Sequence, residues 1–256
     1  MVQSSSPISI CLLVRNERDR LPACLEPLRG FAELLVYDSG SEDGSPELCR
    51  QFGARVESGS WLGFAASRRR LFEMAGQPWI LWLDADEVVS PALREELFAA
   101  VADPGDKVGF WLNRQVVFNG RRIAHGEWFP DWNLRLFRRA AWSISERRVH
   151  ESVSVDGPTG RLDNPLAHYS YRDWADRERR ARAYAELWAE QAADEGRKGG
   201  RLIGWGHGMA RFLRGYLWKR GFLDGRLGWR IAVSNAREAI LKYRLLAQAG
   251  RGQDGQ

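Results

Sequence analysis

A short apolar run that ends in three carboxylates constrains the fold of this chain more than any other feature. Residues 79–83 (WILWL) predict a fully buried strand, and the sequence continues directly into the acidic segment DADE, residues 84–87. Because Asp84 and Asp86 are two residues apart, their side chains can point the same way at a strand end. Two such carboxylates suit a hard divalent cation that also binds water and a diphosphate. Ser90 is the predicted N-cap of the helix that follows. The alternative to a metal site is an acidic loop before that helix, since helix N-termini favour carboxylates.

Strands and helices alternate through the first 100 residues. Apolar runs predict strands at 8–14, 34–37 and 79–83, with a shorter strand around Val56. Helical segments follow these runs, and glycine- and serine-rich turns separate them. Such alternation predicts βαβ units and a mainly parallel sheet. The predicted fold class is therefore α/β, a Rossmann-like sheet with helices on both faces. Beyond residue 105, apolar and polar residues alternate on both sides of Asn119-Gly120, which predicts a β-hairpin.

Polar side chains follow three of the predicted strands. Asn16 and Glu17 follow the first, Asp38 ends the second, and Asp84 and Asp86 end the strand at 79–83. In a doubly wound sheet these ends meet at one crevice, where ligands bind. Asp38 can accept a hydrogen bond from a nucleobase or ribose, or can form a simple Asx turn. The chain has neither G-x-G-x-x-G nor G-x-x-x-x-G-K-[ST], which disfavours a dinucleotide oxidoreductase and a P-loop NTPase.

Charge divides the chain into a mildly acidic body and a basic tail. The net charge is +5, yet residues 201–251 alone hold 11 Lys or Arg and only two acidic residues. Aromatic and aliphatic residues interleave with these basic ones, a pattern that suits the anionic surface of a membrane. The alternative is a helix that packs its apolar face on the body. A nucleic-acid partner is not predicted, because no recognised binding motif accompanies the charge.

Cysteine usage and hydropathy bear on location. Cys11, Cys24 and Cys49 are odd in number and lack metal-ligand spacing, which favours a reduced, cytoplasmic location. The first seven residues contain no apolar signal-peptide core. No run approaches the ~20 apolar residues of a transmembrane helix.

Four segments together carry a family resemblance. ISICLLVRNE, LLVYDSGSEDGS, GFAASRRR and WILWLDADE, in this order and spacing, resemble the family 2 inverting glycosyltransferases, which have the GT-A fold. The resemblance implies Mg²⁺ or Mn²⁺ as cofactor, held by Asp86 and Asp84. It also implies a set of nucleotide-sugar-binding residues: Val14, Asn16, Glu17, Asp38, Arg68, Asp84 and Ala85.

The second half of the chain refines the resemblance. HGEWFPD, LRLFR, VHE, HYSY and GFLDG look like the lipopolysaccharide core glucosyltransferase branch of the family. That branch implies UDP-glucose as donor, a lipid-linked saccharide as acceptor, and a peripheral location on the inner face of the cytoplasmic membrane. It also implies a GT-A catalytic domain over 1–172, divided at 104 into nucleotide-sugar and acceptor halves. A helical region follows over 173–256.

An inverting transfer needs a base that removes the proton of the acceptor hydroxyl. Family members place an acidic pair after an arginine-containing strand, and Val149-His150-Glu151 stands at that position here. The resemblance therefore favours Glu151 as the base, with His150 orienting it or approaching the metal. Asp131 is the second candidate and Glu127 the third.

Other roles stay open at this point. His168 could be a further metal ligand, and structural or acceptor-side roles suit His125 equally well. A related transferase with another donor sugar, in other surface polysaccharide synthesis, is the first alternative function. The second is a non-catalytic protein that binds anionic membranes or nucleic acid. The carboxylates Asp84, Asp86 and Glu151 argue against that class, since a binding module needs no metal–diphosphate site.

Overall fold

The computed structural model describes residues 6–144 and 153–253, which form two compact units. The α/β unit comprises residues up to 114 together with 131–168, and the helical unit comprises 115–130 and residues from 169 onward. The predicted division into domains at residue 172 stays a prediction.

Strands and helices alternate in the α/β unit as the apolar runs predict. Its elements in chain order begin with β1 (Ser6–Val14), α1 (Leu21–Leu25), β2 (Phe31–Asp38), α2 (Ser45–Gln51), β3 (Arg55–Ser58), α3 (Phe64–Glu73), β4 (Trp79–Asp84), β5 (Glu87–Val88) and α4 (Pro91–Ala102). They continue with β6 (Gly109–Phe118), whose last residues belong to the helical unit, and with the short β7 (Arg121–Arg122) of that unit. The α/β unit then ends with β8 (Trp132–Arg138), β9 (Trp142–Ile144), β10 (Val153–Val155), β11 (Thr159–Arg161) and β12 (Leu166–His168).

The main sheet has the strand order β3-β2-β1-β4-β8-β6-β12-β5. Strands β3, β2, β1 and β4 are parallel, whereas β8 is antiparallel to both β4 and β6. The chain moves outward from β1 to β3 and then returns to place β4 on the other side of β1. This reversal is a topological switch point, where open α/β sheets bind ligands. The arrangement confirms the predicted fold class, an α/β sheet of GT-A type with a helical C-terminal region.

Both faces of the sheet are buried, as expected for parallel strands with continuous apolar sequence. Along β1, Ile8, Ile10 and Leu12 enter the core on the side of α1 and α4. Cys11 enters the core on the opposite side, with Phe72 of α3. The alternation is the two-residue period of a strand.

Two local predictions are confirmed. Ser90 caps α4, because its hydroxyl accepts a hydrogen bond from the Leu93 N–H at 3.2 Å. Asn119 and Gly120 form the two-residue loop of the β6–β7 hairpin, with φ of 50° and 70°. Positive φ at both positions is the requirement of a type I′ turn, which Asn-Gly meets well.

The helical unit contains three long helices, α5 (Trp174–Asp194), α6 (Arg201–Leu213) and α7 (Gly225–Gln253). A π-helical turn, Arg214–Trp218, and a 3₁₀ turn, Gly221–Asp224, connect α6 to α7. The tail is therefore broken into two antiparallel-packed segments rather than one continuous basic helix. Among the described residues, no helix combines the length and apolar character that a membrane crossing requires.

Candidate active site

The residues that the sequence assigns to three strand ends lie side by side across the sheet. In the parallel register, Val14 of β1 is opposite Asp38 of β2, and Leu13 of β1 is opposite Asp84 of β4. Because these strands are parallel neighbours, their carboxyl ends form one edge. The polar residues at the ends of β1, β2 and β4 therefore lie along this edge.

The loops that follow β1 and β2 are joined by hydrogen bonds. Asn16 has a φ of 53°, donates its backbone N–H to Ser41 Oγ and accepts the Glu42 N–H on its side chain, each at 2.8 Å. The Glu17 N–H donates to Ser45 Oγ at 3.0 Å. Asn16 and Glu17 therefore fix the shape of one rim of the edge.

Asp38 forms the Asx turn that the sequence offers as its structural role. Its buried carboxylate accepts hydrogen bonds from the N–H groups of Gly40 and Ser41, at 3.2–3.3 Å. A carboxylate has about four acceptor sites, so the turn leaves capacity for a ligand. The side chains of Val14 and Ala85 are buried in the core, so only their backbone can face a ligand.

Asp84 is surrounded by three guanidinium groups. Arg135 Nη2 donates to its Oδ2 at 3.0 Å, Arg68 Nη2 lies 3.7 Å from Oδ1, and Arg114 Nη1 lies 4.0 Å from Oδ2. Desolvation by itself would raise the pKa of Asp84, but these positive charges outweigh it and lower the pKa to about 2. Asp84 is therefore ionised and held in one orientation, with Arg68 on the side that the resemblance assigns to the nucleotide.

Glu87 lies behind Asp84 and is fully buried. Its Oε2 accepts the Asp84 N–H at 3.0 Å, and its Oε1 accepts Arg135 Nη2 at 2.5 Å, with Arg114 Nη1 at 3.5 Å. Desolvation raises the pKa of Glu87, and the charge of Arg135 opposes that rise. Glu87 thus fixes both the backbone and the arginine partner of Asp84.

The Trp82 indole stacks with two of the arginines around Asp84, Arg135 and Arg68. The guanidinium carbon of Arg135 lies 3.5 Å from the ring centroid of Trp82, and that of Arg68 lies 4.3 Å from it. Trp82 Nε1 donates to the Leu134 carbonyl at 2.8 Å, which fixes the ring. Two cations stacked on one ring keep their donor groups in defined planes.

Asp86 faces a histidine and an arginine. Its Oδ1 lies 3.5 Å from Nε2 of His168, at the end of β12, and its Oδ2 accepts Arg20 Nη1 at 3.2 Å. Burial raises the pKa of Asp86, but the hydrogen bond from His168 and the charge of Arg20 together lower it. Among the residues that the structure describes, Asp86 pairs with a second metal-ligand side chain, His168, whereas the partners of the Asp84 carboxylate are arginines.

Asp86 and His168 are the side chains of this site that could bind a divalent cation together. The described part of the chain has no group of three or more Asp, Glu, His or Cys residues arranged to hold a metal. The Asp86 carboxylate, in the turn between β4 and β5, and the His168 imidazole, at the end of β12, nevertheless fit a cation that takes its other ligands from water and a diphosphate. Asp86 and His168 therefore fit the cation that the family resemblance implies.

Asp131, the second candidate base, lies beside this cluster. Arg114 donates to its Oδ2 from Nε at 2.9 Å and Nη2 at 2.7 Å, and Asn133 Nδ2 donates to its Oδ1 at 3.0 Å. Arg114 also faces Asp84 and Glu87, so one guanidinium joins three acidic residues. Both oxygens of Asp131 are already engaged, which favours a positioning role.

Four candidate residues remain. Glu151 and His150 are outside the described residues. Glu127, in the helical unit, binds Arg211 Nε at 2.7 Å and Arg214 Nε at 2.9 Å. His125 pairs with Asp224, whose Oδ1 is 3.1 Å from its Nδ1. The contacts of Glu127 and His125 serve to hold the helical unit together.

Sequence reasoning gave no role to Arg20, Glu87, Arg114 or Arg135. Glu87 was visible as the third carboxylate of DADE, and Arg135 as the arginine of LRLFR. Arg20 and Arg114 stand in ordinary polar surroundings in the sequence, and nothing there points to the site.

The chain is similar to several known proteins. A family model described as Glycosyl transferase family 2 matches residues 9–153. The chain is 29% identical to the lipopolysaccharide core biosynthesis glycosyltransferase LpsC of Rhizobium meliloti, over 75% of this chain and 74% of that protein. It is 25% identical to an uncharacterized glycosyltransferase of Rickettsia felis, over 92% and 91% of the two chains. The crystal structure of S. aureus TarS 1–349 with UDP is similar at 14% identity and a TM-score of 0.48, over 97% of this chain and 92% of that one.

Proposed function

Since this chain belongs to glycosyl transferase family 2, we propose that it transfers a sugar, glucose from UDP-glucose, to a hydroxyl group of a lipid-linked saccharide such as the inner core of lipopolysaccharide. The similarity to LpsC, a protein named for lipopolysaccharide core biosynthesis, supports the acceptor class. The donor and a location on the inner face of the cytoplasmic membrane come from the sequence resemblance. The alternative within the family is another donor sugar used for a different surface polysaccharide.

One observation carries the proposal. Asp38 ends β2, Asp84 ends β4 and Asp86 lies in the turn after β4, so the three acidic residues that the resemblance assigns to the donor lie at one edge of the sheet, on the two strands that flank β1. Arg68 and Arg20 lie within 4 Å of Asp84 and Asp86 respectively. Guanidinium groups beside carboxylates suit a nucleoside diphosphate, which needs positive charge around its phosphates.

Each residue of the site has its own role in the proposed reaction. Asp38 binds the base, with Asn16 and Glu17 shaping the rim of its pocket. Arg135, Arg114 and Glu87 hold the Asp84 carboxylate in place beside the ribose and phosphates. Asp86 and His168 would hold a divalent cation, which would supply positive charge to stabilise the leaving diphosphate. Glu151 removes the proton of the acceptor hydroxyl while the hydroxyl oxygen attacks the anomeric carbon from the side opposite the diphosphate.

A donor panel tests the proposal. Purified chain is titrated with UDP-glucose and other nucleotide-sugars, with Mg²⁺, Mn²⁺ or chelator, and slow donor hydrolysis is followed without acceptor. We expect metal-dependent binding of UDP-glucose and release of UDP. A preference for another nucleotide-sugar would select the alternative within the family. If the chain neither binds nor hydrolyses any donor, the result would favour the non-catalytic class.

Core saccharide then tests the acceptor. Lipid-linked core lacking the outer sugars is offered with the preferred donor, and the product is analysed by mass and by the configuration of the new bond. The proposal predicts one added hexose with inverted configuration. Transfer only to an unrelated polysaccharide precursor would contradict the acceptor assignment and leave the donor assignment intact.

A further inference from the structure

The outer face of α6 carries large apolar side chains that no other part of its unit covers. Leu202, Trp205, Met209 and Leu213 are 45–87% exposed. They recur every three or four residues, so they lie along one stripe of the helix. A soluble helix normally presents polar residues on its outer side, and scattered single apolar residues would need no explanation. A continuous apolar stripe on the outer side of a helix does need an explanation.

The inner face of α6 shows why the stripe cannot turn inward. A Cβ at Gly204 would lie 3.2 Å from the Ile240 carbonyl oxygen, and one at Gly208 would lie 2.6 Å from Ile240 Cγ1. Helices α6 and α7 therefore approach closely through glycines, and that side of α6 has no room for large residues. The helix is amphipathic in an unusual sense, with small residues inward and large apolar residues outward.

The turn after α6 extends this surface as a rigid tip, residues 217–223. Trp218 is 86% exposed, and Leu217 and Leu223 are more than half exposed. The backbone beneath them is tightly packed, since a Cβ at Gly228 would lie 1.8 Å from the Gly221 carbonyl oxygen. Asp224, at the end of the tip, accepts the His125 N–H at 2.9 Å. Because the backbone is fixed in this way, the exposed indole cannot fold back into the unit.

The charge around the tip is of one sign. Lys219 and Arg220 are exposed within it, and Arg226 is exposed at the start of α7. The two acidic residues of 201–251 are occupied, Asp224 by His125 and Glu238 by Arg177 and Lys242. Arg211 and Arg214 bind Glu127, so they hold the unit together, although the sequence pattern counts them among the membrane-facing residues.

A groove between α6 and α7 continues the apolar stripe. It has a volume of about 320 Å³, and Trp205 and Met209 of the stripe form one wall of it. Val233 and Ile240 form the other wall, and Arg237 is the one charged residue among its lining.

We infer that the stripe and the tip dock on an anionic lipid bilayer, with the Trp218 indole at the interface and Lys219 and Arg220 against lipid phosphates. Exposed Trp and Leu with basic neighbours are features of a surface that lies on a membrane. A second copy of this chain fits less well, because two such surfaces would bring like charges together. This inference rests on the membrane location in the proposed function and concerns the helical unit alone, so its failure would leave the proposed sugar transfer intact.

Vesicle sedimentation tests the inference with purified chain. The probes are vesicles of phosphatidylcholine with phosphatidylglycerol in equal parts, and vesicles of phosphatidylcholine alone. We expect binding to the anionic vesicles that weakens with salt, and little binding to the neutral ones. Each basic residue near such a surface strengthens binding about fivefold, so the double variant Lys219→Glu, Arg220→Glu should lose at least ~25-fold. Trp218→Ala should lose at least ~10-fold.

Matched controls separate the tip from general charge and apolarity. Arg29 and Arg55 are exposed in the α/β unit, and their double reversal to Glu makes the same change in net charge. Tyr184 of α5 is 67% exposed, and Tyr184→Ala removes a comparable ring. Both controls should bind vesicles nearly as the unchanged protein does, and every variant should keep its affinity for UDP.

A fluorophore gives an independent readout. The three native cysteines are buried, so a single reactive thiol can be introduced as Trp218→Cys and labelled with an environment-sensitive dye. A blue shift on anionic vesicles supports insertion of the tip. Unchanged protein that ignores anionic vesicles at low salt would overturn the inference, as would equal losses in tip and control variants. A dimer in solution that Trp218→Ala dissociates would assign the surface to a second copy instead.

Discussion

Glu87 Oε1 accepts a hydrogen bond from Arg135 Nη2 at 2.5 Å, between two side chains with no exposed surface. The same arginine binds Asp84, and Glu87 accepts the Asp84 N–H. A buried ion pair contributes little net stability over an apolar pair, but removing one partner leaves the other charge uncompensated. This pair therefore serves to orient the carboxylate at the end of β4.

Glu87→Gln should lower the free energy of unfolding by about 1–3 kcal/mol. The substitution keeps the shape and one hydrogen bond but leaves Arg135 with Asp84 as its remaining carboxylate. Urea denaturation provides the measurement. Glu47→Gln is the control, because Glu47 pairs with Arg50 on the surface, where such pairs contribute about 0–1 kcal/mol. Equal losses in the two variants would contradict the role given to Glu87.

Asp86→Ala and His168→Ala should each weaken Mn²⁺-dependent binding of UDP at least ~10-fold, because each removes one of the two protein ligands that we propose for the metal. Binding measured by calorimetry with chelator should change far less. His207→Ala is the control, since His207 is exposed and stacks on Tyr243 of α7. If His168→Ala binds UDP and Mn²⁺ as tightly as the control, the second ligand is another residue.

Glu151→Gln should lower the rate of transfer by ~10²–10⁴-fold, the usual contribution of a general base, with donor affinity almost unchanged. Asp131→Asn should lose less, mainly in apparent acceptor affinity, because Asp131 is held by Arg114 and Asn133. Single-turnover rates and donor titrations separate the two effects. An inactive Asp131→Asn beside an active Glu151→Gln would exchange the two roles.

Local signals predicted much of the fold. The apolar runs gave the parallel strands, Ser90 gave the start of α4, and Asn119-Gly120 gave the hairpin. These succeed because each depends on neighbouring residues only. The convergence of Asp38, Asp84 and Asp86 was also predictable, because the carboxyl ends of parallel strands share an edge.

The arginines of the site could not be predicted in the same way. Arg135 and Arg114 reach Asp84 because β8 pairs antiparallel with β4 and β6 pairs antiparallel with β8, and no local pattern in the sequence specifies these pairings. His168 reaches Asp86 because β12 pairs with β5, with His168 opposite Glu87. In DADE, nothing in the sequence shows that Glu87 is buried while Asp84 remains partly exposed.

Glu238 makes the stability of the protein sensitive to acid. Burial would raise the pKa of Glu238, but the charges of Arg211, Lys242 and Arg177 lower it. A carboxyl whose folded pKa is depressed stabilises the fold above its unfolded pKa, about 4.3, and this contribution disappears as the pH falls below that value. Glu238→Gln should therefore lose stability at neutral pH and show a shallower decline on acidification.

Urea denaturation between neutral pH and about pH 3 checks this expectation. Glu186→Gln is the control, since Glu186 makes only a surface pair with Arg182 at 2.9 Å. Its decline on acidification should match that of the unchanged protein. Parallel curves for Glu238→Gln and the unchanged protein would show that the ion pairs of Glu238 do not set the acid response.

Two glycines of α6 should respond oppositely to alanine. Gly206 has no atom within 4 Å of an added Cβ, so Gly206→Ala should raise the free energy of unfolding by about 0.5–1 kcal/mol through helix propensity. At Gly208 the added Cβ would lie 2.6 Å from Ile240 Cγ1 and 3.0 Å from the Ala236 carbonyl oxygen. Side chain and backbone must both shift there, which costs about 1–3 kcal/mol and exceeds the propensity gain. Denaturation of the two variants side by side measures the difference. If both variants gain stability equally, α6 and α7 do not meet through this glycine.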